Sequence, residues 1–140
     1  MNIRIGVLAF LAMCVTVPEA ISQTQDEAAA FIRATVITCK EGDTQLDRVT
    51  SMNLDGASFM IQTGSAKWRH ALYWRLSAGE FSLEDDVIRF KCSVPGCVTV
   101  PGNDARYNSG RLVCGAGMAP RLMRALQFYQ SGFAKEKSNF

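Results

Sequence analysis

Cys92 and Cys97 bracket Ser93-Val94-Pro95-Gly96, and they are the most chemically loaded pair in the chain. Such a pair could be a dithiol redox centre, half of a metal site, or a disulfide. Thioredoxin-type centres set two residues between the cysteines at a helix start, where the thiolate is stabilised. Here Pro95-Gly96 lies between them, and that dipeptide signals a turn. A structural zinc site needs close pairs of Cys or His ligands. Cys39, Cys114 and the single histidine, His70, are distant from one another, so no metal and no cofactor is expected. A disulfide across a hairpin turn fits best. Residues 86–92 alternate apolar and polar, and residues 97–100 are rich in β-branched side chains. A short loop would set Cys92 and Cys97 opposite each other, within reach of a bond.

The start of the chain decides the redox compartment. Arg4 is followed by an apolar run from Ile5 to Val17 broken only by Thr16, then by Pro18 and the small residues Ala20 and Ser22. This is the anatomy of a secretory signal over residues 1–22, cut after Ser22 or after Ala20. The run is too short for a helix that spans a bilayer of roughly 30 Å. Removing it takes away Arg4, Glu19 and Cys14, which leaves the net charge at +2 and four of the five cysteines. An even cysteine count in an exported chain points to disulfides. If Cys92 pairs with Cys97, Cys39 is left to pair with Cys114. In the chain-entropy picture the long bridge is worth up to about 4.5 kcal/mol and the short one about 2 kcal/mol.

Two features of residues 67–76 could also carry chemistry. Strand alternation sends Trp68, His70, Leu72, Trp74 and Leu76 to one face, and Lys67, Arg69, Ala71, Tyr73 and Arg75 to the other. His70 between tryptophans could act as a base, but no Ser, Cys or Asp pattern nearby completes a nucleophile–base pair, so a core or half-buried histidine is expected. Lys67, Arg69, Tyr73 and Arg75 form a candidate binding face, since cations around an aromatic can hold anionic or planar groups. The segment from residue 104 onward adds Arg106, Arg111, Arg121, Arg124, Lys135 and Lys137 against Asp104 and Glu136. Glu84-Asp85-Asp86 reads as a hairpin turn, and Glu41, Asp43 and Asp47 as a solvated loop. No phosphate loop, zinc-protease helix or nucleophile elbow occurs.

These residues need elements to position them. Thr24-Gln25-Asp26-Glu27 has the capping-box pattern, which starts a helix at Gln25 that runs to about residue 34. Short strands are expected near residues 47–53, 57–63, 67–77, 80–84, 86–92, 97–100 and 110–114, separated by Gly, Pro and Asp turn signals. Pro120 opens a second helix whose Leu122, Ala125, Leu126 and Tyr129 share one face. The expected fold is α+β: a curved antiparallel sheet or partial barrel of about 6–7 short strands, with an N-terminal helix and a C-terminal amphipathic helix packed on it. Residues 23–134 make a single exported globular domain, and 135–140 a frayed tail.

The expected function is non-enzymatic binding by a small disulfide-stabilised domain, periplasmic or secreted. The partner is a protein or an anionic envelope component. Nucleic acid is not expected for an exported chain at a net charge of +2. The alternatives are a small hydrolase centred on His70, or a thiol or metal protein using Cys92 and Cys97.

Overall fold

A computed structural model describes residues 24–42, 46–65, 68–115 and 117–137. The expected signal over residues 1–22 lies outside the described residues, as does Lys67. The chain folds as two helices and one large antiparallel sheet.

Helix α1 spans Gln25–Val36. Its capping box forms as the sequence requires: the Glu27 N–H donates to the Thr24 hydroxyl at 3.1 Å, and the Thr24 N–H donates to the Glu27 carboxylate at 3.3 Å. The helix runs to Val36 because Thr35 and Val36 are buried with Ala28, Ala29 and Ile32, so packing outweighs their weak helix propensity. Helix α2 spans Ala119–Gln130, with Pro120 at its start and Leu122, Ala125, Leu126 and Tyr129 buried. The two helices pack on each other and on one part of the sheet.

The strands are β1 (Lys40–Glu41), β2 (Asp47–Asp55), β3 (Ser58–Ser65), β4 (Trp68–Arg75), β5 (Gly79–Glu84), β6 (Val87–Cys92), β7 (Val98–Thr99), β8 (Arg106–Tyr107) and β9 (Ser109–Val113). A single 3-10 turn, Leu76–Ala78, separates β4 from β5. The hydrogen-bonded order is β5-β6-β9-β1-β2-β3-β4-β7-β8. Nine strands stand where about 6–7 were expected, because β1 and β8 are two residues each, below what alternation can reveal.

The register explains much of the architecture. Val87 to Lys91 pair with Val113 to Ser109, and Val98 and Thr99 then pair with Tyr107 and Arg106. Thus β6 and β7 lie in line along one continuous partner, β8 and β9, with residues 93–97 looped out of the ladder. This corrects the hairpin expectation for CSVPGC. The Cys92–Cys97 disulfide forms, but it closes the base of an excursion within one strand line. The hairpin turn lies further on, at residues 100–105, where Gly102 adopts φ +75°. On the other flank, β4 pairs with β7 and β5 with β6, so the 3-10 turn lies beside the looped-out residues. Ser93 and Val94 both donate their N–H to the Ala78 carbonyl, at 2.8 and 3.1 Å.

No ladder joins the two ends of the order, so the sheet is open. It nevertheless curls, because end strand β8 runs through Asn108 alone into interior strand β9. The concave side holds one core. Phe59, Trp74, Phe81 and Phe90 cluster there, with Trp74 stacked on Phe90 at 5.3 Å and edge-on to Phe59 at 5.4 Å. Such pairs add about 0.5–1.5 kcal/mol each beyond area burial. The second disulfide, Cys39–Cys114, ties the end of α1 to the end of β9 and is buried. Disulfides form and persist in oxidising compartments. No helix among the described residues is long and apolar enough to cross a membrane.

Candidate functional site at the open end of the curled sheet

Cross-strand partners point to the same side of a sheet. The concave side can therefore be followed from strand to strand. Phe59, Ile61 and Thr63 on β3 face Trp74, Leu72 and His70 on β4. Trp74 pairs with Val98, and Val98 with Tyr107. Glu41 on β1 pairs with Asp47 on β2 and with Leu112 on β9. Following each strand in one direction, these side chains change from apolar to polar. Phe59, Trp74 and Leu112 are fully buried, whereas His70 and Tyr107 are exposed.

The helices account for this gradient. Arg33 donates to the Leu54 carbonyl, Tyr129 to the Gly56 carbonyl, and Gln130 to the carbonyls of Leu76 and Gly79. Those contacts anchor the helices at the ends of β2 and β4 that bear Leu54 and Leu76. Asp47 and His70 lie at the opposite ends of the same two strands. One end of the curled sheet is covered and the other is a mouth, with a cavity of about 250 Å³ lined by Glu41, Asp47, Thr63, His70, Leu72, Val98, Val100, Tyr107 and Ser109. Residues from seven strands contribute, so the cavity is a property of the whole curl.

The mouth carries its charges in an unusual arrangement. Glu41 and Asp47 are direct cross-strand partners, and like charges so placed repel. The side chains of Asp47 and His70 make no hydrogen bond or ion pair with any of the described residues. The rim is apolar in part: Tyr107 is 51% exposed. The Asp47 carboxylate beside an aromatic rim can receive a cationic or donor-rich group whose apolar part packs on Leu72 and Val98. Among the described residues the His70 side chain makes no bond to Ser109 or to a carboxylate, so no nucleophile–base–orienter chain is assembled from them. No cluster of three or more His, Cys, Asp and Glu side chains suited to a metal ion occurs among the described residues.

The remaining expected site residues fall elsewhere. Lys67 and the side chain of Arg69 lie outside the described residues. Tyr73 and Arg75 share the convex face as alternation requires, and both line a separate groove. His70 was expected in or near the core; it faces inward, but at the open end, and is exposed. Asp85 and Asp86 form the β5–β6 turn, with Asp85 at φ 54°. Glu41 and Asp47, expected in a loop with Asp43, sit in strands instead, while Asp43 lies outside the described residues.

One structural residue had no sequence signal. Asn108 is the single residue between β8 and β9. Its carbonyl accepts from the Cys92 N–H at 2.9 Å, and its side-chain oxygen accepts from the Gly96 N–H at 2.8 Å. It therefore holds both ends of the looped-out segment. Nothing in Tyr107-Asn108-Ser109 distinguishes this asparagine from an ordinary turn residue.

Comparison with known protein families, with curated proteins and with solved structures found no match.

Proposed function

We propose that the protein is a small exported, disulfide-stabilised domain with a non-enzymatic binding role, and that its partner is a protein which places a basic side chain in the mouth of the curled sheet. One observation carries this reading. The side chains of Asp47 and His70 have no partner among the described residues and line one cavity at the mouth, beside Leu72 and Val98. Unpaired polar groups in a concave site favour a ligand over an arrangement that serves stability alone. Tyr107 would supply the apolar contact around the inserted charge, in the manner of an interface anchor. Export is supported by the signal-like sequence of residues 1–22 and by the two disulfides.

The test compares the wild-type mature protein with the double variant Asp47→Asn/His70→Ala as immobilised bait against envelope extract. The expected result is a protein retained by the wild type and lost by the double variant, with thermal unfolding unchanged. Identical retention by both would reject the mouth as the site. A hydrolytic activity abolished by His70→Ala would replace binding with the hydrolase alternative.

A further inference from the structure

The chain beyond α2 turns back onto the convex face of β4. The Glu136 N–H donates to the Ser77 carbonyl at 2.8 Å. Its carboxylate accepts from Arg75 Nε at 2.7 Å and from the Ser77 hydroxyl at 2.7 Å. Together these are one main-chain hydrogen bond and a charge-assisted pair, the pattern by which an extended acidic peptide is held. The groove beside Arg75 is much larger than this contact. It has a volume of about 580 Å³, and its walls include Ala57, Ser58, Tyr73 and Thr99.

We propose that this groove is a docking site for an extended segment of a partner protein that presents one carboxylate to Arg75 and Ser77, with Glu136 as its resident competitor. The occupant's chemistry is read from the contact already present: a carboxylate for Arg75 and Ser77, and a backbone N–H for the Ser77 carbonyl. Tyr73, at 36% exposure, offers a ring to the residues that flank the carboxylate. The resident contact is displaceable. The Arg75 and Glu136 side chains are 46% and 38% exposed, so solvent screens their attraction. The neighbouring Lys135–Glu80 pair, at 3.4 Å, is more exposed still. Tethering nevertheless gives the tail an effective concentration in the millimolar range, which an outside peptide must overcome. This site is independent of the mouth, so either can fail without the other.

The test is a 15N NMR titration of the full mature chain with a synthetic peptide of residues 131–140, with the Arg75 Nε–H resonance as the reporter. In Glu136→Ala the reporter leaves its wild-type position, and the added peptide returns it. Binding is at least tenfold tighter to Glu136→Ala than to the wild type. A peptide with Gln at position 136 does not bind, and neither does any peptide to the Glu136→Ala/Arg75→Gln double variant. Equal binding of the Glu and Gln peptides, or no return of the Arg75 signal at millimolar peptide, overturns the proposal. Concentration-dependent dimerisation of the wild type through its own tail would assign the groove to a second copy and would also overturn it.

Discussion

Gly110 lies directly beneath the indole of Trp74. A Cβ at position 110 would overlap the six-membered ring of that indole, a ring already stacked with Phe90 and met edge-on by Phe59. A strand position that costs conformational entropy is thus given over to a ring. Gly110→Ala forces either β9 or the aromatic cluster to move. The expected loss is about 2–3 kcal/mol, read as a lowered urea midpoint at unchanged slope. Trp74→Ala would relieve the clash, so the double variant should lose less than the sum of the two single losses.

Gln130 serves the edge of the sheet. Its buried amide donates to the carbonyls of Leu76 and Gly79, at 2.6 and 2.5 Å, while Gln127 donates to the Phe81 carbonyl at 3.3 Å. These bonds cover the outer side of end strand β5, the kind of exposed edge that recruits other chains. Gln130→Leu keeps the volume and leaves two buried acceptors without donors, at a cost of about 2 kcal/mol or more. The variant should also aggregate faster during heating, as light scattering would report. A variant as stable and as monomeric as the wild type would remove Gln130 from this role.

Alkaline stability depends on Tyr129. Burial pushes its phenol above the ordinary value; nearby Arg33 pulls it down, and Asp55 pushes it up further. The neutral hydroxyl donates to the Gly56 carbonyl at 2.7 Å. The folded state holds this proton more tightly than the unfolded chain does. The contribution is therefore complete below the unfolded value of about 10 and is lost as pH rises through the folded value. Melting temperature should fall above pH 10 in the wild type, and less steeply in Tyr129→Phe. The phenylalanine variant should also be less stable at neutral pH, by about 1 kcal/mol for the lost hydrogen bond.

The two disulfides should differ in thermodynamic weight. Cys39–Cys114 has a sequence separation of 75 and Cys92–Cys97 one of 5. Replacing the long pair by alanine should cost about 4 kcal/mol, and replacing the short pair about 2 kcal/mol. Denaturant titration of the two double variants ranks them. If the sequence-predicted signal is cut after Ser22, the intact mass should begin at Gln23 and show no thiol that alkylates without reduction. A retained leader or free thiols would reject export with both bridges closed.

Local physics made part of this fold readable from sequence. The Thr24–Glu27 capping box, the Pro120 start and the face shared by Leu122, Ala125, Leu126 and Tyr129 need only near neighbours, and both helices follow from them. Alternation likewise placed His70 and Trp74 on one face. It could not show that one end of the curl is covered by helices and the other is not, and that difference buries Trp74 while leaving His70 exposed. Pro95-Gly96 and Pro101-Gly102 carry the same turn chemistry. Only the long-range register distinguishes the looped-out segment from the true hairpin turn. Arg75 looked like a free cation because its partner Glu136 arrives from the far end of the chain.

The disulfide-closed excursion at residues 93–97 has a consequence for how this surface can change. Cys92 and Cys97 fix where the strand line leaves the ladder and where it returns, and Asn108 seals both points from the neighbouring strand. The exposed side chains of Ser93 and Pro95 can therefore be exchanged without shifting a single pair on either side, whereas Val94 packs on the core and Gly96, at φ +75°, is held by Asn108. The loop is a socket: its outward side chains are interchangeable, while the sheet that bears it keeps its register.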